Sequence, residues 1–178
     1  MVKLHAIQDS VLGRMGGLPG WRPEHISRLE QIPLKLLRRN AVYRHGVTRF
    51  RPRDEWPAEH ACPGAVREVG LHRELLGDEW REYGEMVLYH EYVHCIGLIA
   101  HDSAFHAREC LWPGHEAKRD LAHRFMDSMV ERNHRWLWCC PGCGSEARRQ
   151  RKANGRYLCR RCGLRLLDRA ANGAQTET

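Results

Sequence analysis

Three stretches of the chain repeat apolar residues about every third or fourth position, which is the spacing of an amphipathic helix. They cover residues 23–32, 79–96 and 116–132. In the second stretch the candidate packing positions are Tyr83, Val87, Tyr92 and Ile96. Gly97 follows it and is suited to end a helix. The pattern therefore predicts three helices, and residues 34–37 are expected to continue the first of them after a kink.

Shorter apolar runs between the first two helices predict strands. Residues 41–51 are expected to form two short strands around Gly46, and residues 65–71 a further strand with partial alternation. A proline-containing loop at 52–63 separates these segments. Helices and strands in this order predict an α+β fold.

Composition divides the chain into four segments. We expect an N-terminal extension at 1–22, loosely held at its turn-rich end, and a main domain at 23–135. A small cysteine-rich module follows at 136–168, and residues 169–178 are expected to be a disordered tail. With 42% hydrophobic and 29% charged residues, and without an apolar run long enough for a membrane span, the chain has the composition of a soluble protein. It begins without a signal peptide, which predicts a cytoplasmic location.

The net charge of +7 is concentrated at the C-terminal end. Residues 139–178 hold nine basic and three acidic side chains, which gives this part +6. The rest of the chain is nearly neutral. Such an asymmetry favours an anionic partner, and we expect nucleic acid.

The second predicted helix carries the sequence His90-Glu91-x-x-His94. Residues four apart lie on one face of a helix, so both imidazoles can reach a single metal ion. Glu91 is rotated by about a hundred degrees from His90, where it can act on a water molecule at the metal. This is the helical half of a zinc hydrolase site.

A catalytic zinc usually has three protein ligands and one position for water. We expect His101 to be the third ligand, because Gly97 would let the chain reverse after the helix. His115 is the second candidate for this role. Two weaker candidates are His106 and Glu109.

Four cysteines form two Cys-x-x-Cys pairs, and they predict a structural zinc ribbon. The pairs are Cys140 with Cys143 and Cys159 with Cys162. Cys139 could take the place of Cys140, although the spacing favours Cys140. Between the pairs lies a basic segment, expected to be a hairpin with a turn near Asn154 and Gly155. Its candidate nucleic-acid contacts are Arg148, Arg149, Arg151, Lys152, Arg156 and Tyr157.

Together these motifs resemble the SprT-like (Spartan-like) zinc metallopeptidases over roughly residues 40–165. A strand and short helix at 69–76 precede His90-Glu91-x-x-His94, and the segment 101–105 is similar to the family's His-Gly-x-x-Phe. A zinc ribbon then follows a helix. Asp102 departs from the family, which often has glycine there, and the gap between His94 and His101 is short. The resemblance implies a small zincin-like core with His101 as the third ligand, followed by a zinc ribbon.

These features lead to a hypothesis of a zinc metalloendopeptidase with one catalytic and one structural Zn²⁺. Glu91 would be the general base, and the substrates would be proteins associated with nucleic acid. The alternative is a non-catalytic zinc-containing factor that binds nucleic acid, associated with transcription or ribosomes. A third hypothesis is a peptidase of the minigluzincin type that cleaves a specific protein partner.

Overall fold

The computed structural model describes residues 2–38, 41–55 and 65–171. The helices are α1 (Val2–Met15), α2 (Pro23–Glu30), α3 (Arg81–Cys95), α4 (Ser103–Glu109) and α5 (Lys118–Asn133). The strands are β1 (Leu34–Leu36), β2 (Gly46–Phe50), β3 (Val66–Leu71), β4 (Trp136–Cys139), β5 (Glu146–Arg149) and β6 (Leu167–Ala170). The architecture is mixed α+β, as predicted. It divides into two compact units, Met1–His123 and Arg124–Thr178.

The first unit contains a three-stranded sheet in the order β1-β3-β2. Strand β3 pairs in parallel with β1 and antiparallel with β2, so that Val69 lies opposite both Leu34 and Thr48. The prediction of a helix at 34–37 is wrong, because pairing with β3 overrides the local apolar spacing. Of the two strands predicted at 41–51, only β2 forms, and the residues before it make turns. Most of the predicted loop at 52–63 lies outside the described residues.

The N-terminal segment is more ordered than its sequence predicted. Residues 2–15 form α1, and the turn-rich part is confined to residues 16–20. Gln8 Nε2 donates to the Tyr92 hydroxyl at 3.1 Å, and Ser10 Oγ donates to Glu85 Oε1 at 2.8 Å. Ile7 is fully buried beside these bonds. These contacts fasten α1 along α3 and make it part of the core.

Helix α3 is the central element of the first unit. Between Tyr83 and Cys95 every side chain is buried except those of His90 and His94, which are half-buried. Two of the buried side chains, Glu85 and Glu91, are carboxylates, which are costly to bury without partners. The helix therefore presents two histidines at the one stripe that the rest of the unit leaves open.

The second unit contains an antiparallel sheet in the order β5-β4-β6, with Trp136 opposite Arg149 and Ala170. The predicted turn at Asn154 and Gly155 is present, since Arg156 N–H donates to the Ala153 carbonyl at 3.0 Å. The predicted hairpin is only partly right, because β5 pairs with β4 and not with the segment after that turn. No helix within the described ranges combines the length and apolar character needed to cross a membrane.

Candidate metal centres

Three histidines converge at the end of α3. His90 and His94 lie one turn apart, and Gly97, with φ of 101°, turns the chain back after the helix. His101 Nε2 then lies 3.2 Å from His90 Nε2 and 3.2 Å from His94 Nε2. The structure thus brings His101 to the pair, whereas His115 is outside this set of donors. We call His90, His94 and His101 the histidine group.

The donor atoms of this group are suited to a metal ion. His94 Nδ1 lies 2.8 Å from the Leu98 carbonyl, and His90 Nδ1 contacts Glu109 Oε1, so each Nδ1 has an acceptor. Burial lowers the pKa of both histidines, that of His94 to about 4. Neutral rings with a proton on Nδ1 direct their Nε2 lone pairs at one another, which is unfavourable without a cation between them. Four ligands about 2.05 Å from zinc would place nitrogens roughly 3.3 Å apart, close to the observed spacing.

The ring of Phe105 packs against all three imidazoles. Asp102 Oδ1 caps α4 by accepting from the Phe105 N–H at 3.0 Å, which fixes where this fully buried ring enters the core. The centroid of the Phe105 ring lies 4.6–4.8 Å from the centroids of the three histidine rings. The ring therefore limits how far each imidazole can rotate.

Glu91 is held against β2. Its Oε2 accepts from Thr48 Oγ1 at 2.8 Å, and a Cβ at Gly46 would lie 2.5 Å from its Oε1. A side chain at position 46 would therefore displace the carboxylate of Glu91. Burial raises the pKa of Glu91 to about 7, and the Thr48 hydrogen bond opposes that rise. The carboxyl group can consequently take up and release a proton near neutral pH.

A cleft of about 290 Å³ lies beside the histidine group. This volume is near the lower limit for small-ligand pockets and can admit a side chain of a larger partner. The cleft brings together the carboxylate of Glu91, one member of the histidine group and two cations, Arg44 and Lys118. Its lining residues are Tyr43, Arg44, His45, Gly46, Tyr83, Val87, His90, Glu91 and Lys118.

Glu109 lies outside the histidine group and contacts one of its members. It is buried at the end of α4, and its Oε1 contacts both His90 Nδ1 and Lys118 Nζ. His115 Nε2 and His106 Nδ1 lie 3.2 Å and 3.6 Å from its other oxygen. Burial alone would raise the pKa of Glu109, but the bonds from His90 and Lys118 outweigh it and hold the pKa well below the usual range.

Sequence reasoning missed the roles of Thr48, Phe105 and Lys118 and assigned Glu109 only as a competing ligand. One signal was available, because Phe105 and Glu109 are four residues apart and therefore share the inner face of α4. Thr48 and Lys118 reach the site through tertiary packing, and no local pattern marks them.

Four cysteine sulfurs converge in the second unit. Cys140 Sγ lies 3.2 Å from Cys162 Sγ, and Cys143 Sγ lies 3.6 Å from Cys159 Sγ. Sulfurs about 2.3 Å from a tetrahedral zinc would be roughly 3.8 Å apart, so the set could hold such an ion. Cys139 Sγ points elsewhere, 3.6 Å from Glu146 Oε1. We call Cys140, Cys143, Cys159 and Cys162 the cysteine group.

Both halves of the cysteine group use the same turn. The Cys140 N–H donates to Ser145 O, and the Cys159 N–H donates to Leu164 O, five residues ahead in each case. Gly144 and Gly163 adopt left-handed backbone angles, with φ of 67° and 72°. Hydrogen bonds from Ser145 and from the backbone lower the pKa of Cys159, whereas the pKa of Cys162 is raised, so the four thiols do not share one tendency to ionise.

The six candidate nucleic-acid contacts are exposed on the second unit. Tyr157 stacks on Trp138 with ring centroids 4.4 Å apart, and Arg149 lies over the same indole at 5.1 Å. Lys152 Nζ lies 4.4 Å from the centroid of the Trp136 ring. The basic segment is thus partly organised by its contacts with Trp136 and Trp138.

The two groups differ in what they can do chemically. Four thiolates complete a tetrahedron, whereas three histidines leave one position for a reacting molecule. Comparisons of the chain with models of known protein families, with curated proteins and with solved structures gave no match. A function therefore has to be inferred from the arrangement of the side chains.

Proposed function

We propose that the chain is a zinc-dependent peptidase of SprT-like type with a zincin-like core. The observation that carries this proposal is the convergence of three histidine Nε2 atoms beside Glu91, a buried carboxylate on the same helix. Three donors and an adjacent acid are the parts that zinc hydrolases use. The cysteine group would hold a second, structural zinc.

In this proposal His90, His94 and His101 hold the catalytic ion. Zinc bound there would act as a Lewis acid that acidifies a water molecule and polarises a peptide carbonyl. Glu91 would take the proton of the attacking water and return it to the leaving amine. Thr48 Oγ1 keeps the carboxylate in one orientation by donating to Oε2. The cleft beside Glu91 receives a side chain of the substrate.

The basic second unit supports a substrate class of proteins associated with nucleic acid. Its exposed cations, together with the outer face of Tyr157, present charge for phosphates and an aromatic surface for a base. Cysteines that ligate metal instead of forming disulfides suit a reducing compartment, and we place the activity in the cytoplasm on that ground.

The test is a Glu91→Gln variant of the full chain loaded with zinc. Its amide keeps the size and the Thr48 contact of the side chain but cannot accept a proton. We expect two zinc ions per chain, an unchanged circular dichroism spectrum, and a loss of about 10²–10⁴-fold in cleavage. Cleavage would be followed with an unfolded basic protein mixed with single-stranded DNA. A rate equal to that of the parent chain would overturn the mechanism.

A second candidate function is a non-catalytic factor that binds nucleic acid. It is favoured by the basic surface of the second unit, which needs no catalysis to explain it. Under this reading the parent chain binds two zinc ions and nucleic acid, yet cleaves neither free nor DNA-bound protein. Chelator-sensitive cleavage that Glu91→Gln abolishes would rule it out.

A further inference from the structure

The two histidines of α3 are oriented by partners of different charge. His94 Nδ1 lies 2.8 Å from the neutral carbonyl of Leu98. His90 Nδ1 instead contacts the buried carboxylate of Glu109. A ligand that donates to a carboxylate is a stronger base than one that donates to a carbonyl. His90 is therefore the ligand whose strength the surrounding side chains can change.

Glu109 is placed where a carboxylate does not help its own helix. It ends α4, and a negative charge in the last turn opposes the helix dipole. It is also 5% exposed, so its charge has lost most of its hydration. Nitrogens of His90, His106, His115 and Lys118 surround its two oxygens. The position is thus explained by what Glu109 contacts and not by helix stability.

Lys118 acts on His90 through Glu109. Its Nζ lies 2.9 Å from His90 Nδ1, and both nitrogens contact Glu109 Oε1. With Nε2 turned to a metal, Nδ1 carries the ring proton, so two donors face each other and neither accepts. Both must donate to the same carboxylate oxygen. The ammonium therefore draws charge away from the bond that Glu109 makes to His90.

We propose that Glu109 and Lys118 form a positioning pair that sets the strength of His90 as a metal ligand. Glu109 fixes the ring with Nε2 toward the metal and strengthens the ligand. Lys118 neutralises the buried charge of Glu109 and thereby weakens the effect of Glu109 on His90. Its own positive charge also lies close to the ion, separated from it by the imidazole of His90. The inference rests on the proposed metal site, and it predicts changes of opposite sign for the two side chains.

The experiment compares metal affinity in full-length variants by chelator competition with Co²⁺. The absorption of a nitrogen-ligated cobalt separates the histidine group from the thiolate bands of the cysteine group. Glu109→Gln should weaken binding at the histidine group by about 10–100-fold. Lys118→Met should tighten it by about threefold or more, because one positive charge near the ion is removed. Lys118→Arg should restore the parent affinity.

If Glu109 and Lys118 had only a structural role, their variants would not change the metal affinity in opposite directions. If both single variants weaken the metal, or neither changes it, the proposed pairing is overturned. His115→Gln is the matched control, because it contacts the same carboxylate without reaching the histidine group, and it should leave the affinity within about twofold. His94→Ala tests the site itself. If cobalt still bound with parent affinity in His94→Ala, the proposed function would fail, whatever Glu109 does.

Discussion

The histidine group takes its side chains from α3 and the loop after it, and the side chains that contact them come from α4 and α5. The cysteine group consists of two copies of one short turn, each with its own glycine and the same backbone hydrogen bond. One site depends on tertiary packing around it, and the other on local sequence. Their sensitivity to change should differ accordingly.

Burial shows the same contrast. Helix α3 is buried almost throughout, so the first unit has a core that exists without any metal. Among residues 136–171 only Cys140, Ala153 and Cys159 are buried. A segment with so little core needs a metal or crosslink to stay folded. In the first unit the fold positions the three histidines, and in residues 136–171 the proposed metal would hold the fold.

The largest effect should follow from Cys140→Ser. The loss of one thiolate removes the metal that replaces a core, so residues 136–171 should unfold while the first unit stays intact. The measurement is the indole region of a nitrogen–proton correlation spectrum. The signals of Trp136 and Trp138 should collapse to random-coil positions, and those of Trp21, Trp80 and Trp112 should stay.

The neighbouring cysteine supplies the control. Cys139→Ser changes a side chain of the same kind that points to Glu146 and away from the cysteine group. It should leave all indole signals in place. If Cys139→Ser unfolded the second unit as Cys140→Ser does, the assignment of Cys140 as the ligand would be wrong.

The second prediction concerns Phe105, which packs against the histidine group. Phe105→Ala empties the space below three imidazoles and should cost about 3–5 kcal/mol of unfolding free energy. Metal binding at the histidine group should weaken as well, since the rings gain freedom. Urea unfolding of the zinc-loaded chain gives the first quantity, and Phe105→Leu should lose less because it keeps most of the volume. Ile99→Ala, at a side chain 49% exposed, should stay within about 0.5 kcal/mol.

The difference between the sites also decided what the sequence could predict. Both cysteine pairs and the two helical histidines are fixed by local spacing, and spacing is readable from a chain. His101 was preferred over His115 on the strength of Gly97, and the structure places His101 with the other two. Residues 34–37 were predicted as helix because their local spacing is helical. The strand forms through pairing with β3, which is distant in the sequence and cannot be predicted from local spacing.

The partners of the ligands were the hardest to predict. Lys118 is 28 residues from His90 and Thr48 is 43 residues from Glu91, and neither belongs to a motif. Their side chains become informative only when α5 and β2 are brought beside α3. The role of Glu109 was hard to predict for the same reason. The sequence alone does not show whether such a carboxylate would bind a metal directly or contact a histidine that does.

The smallest effects come from two glycines that are needed for different reasons. At Gly46 an added Cβ would lie 2.5 Å from Glu91 Oε1 and 2.7 Å from Val87 Cγ1, so Gly46→Ala should cost about 1–3 kcal/mol and also displace Glu91. At Gly144 nothing lies within 4 Å of an added Cβ, but φ is 67°, so Gly144→Ala should cost only about 1–2 kcal/mol. Urea unfolding of the zinc-loaded chain measures both. Asparagine tolerates the left-handed region, so Gly144→Asn should recover part of the loss, whereas Gly46→Asn should be worse than alanine. Gly46 is not among the glycines with positive φ, so recovery by asparagine at position 46 would contradict the conclusion that this glycine leaves room for Glu91.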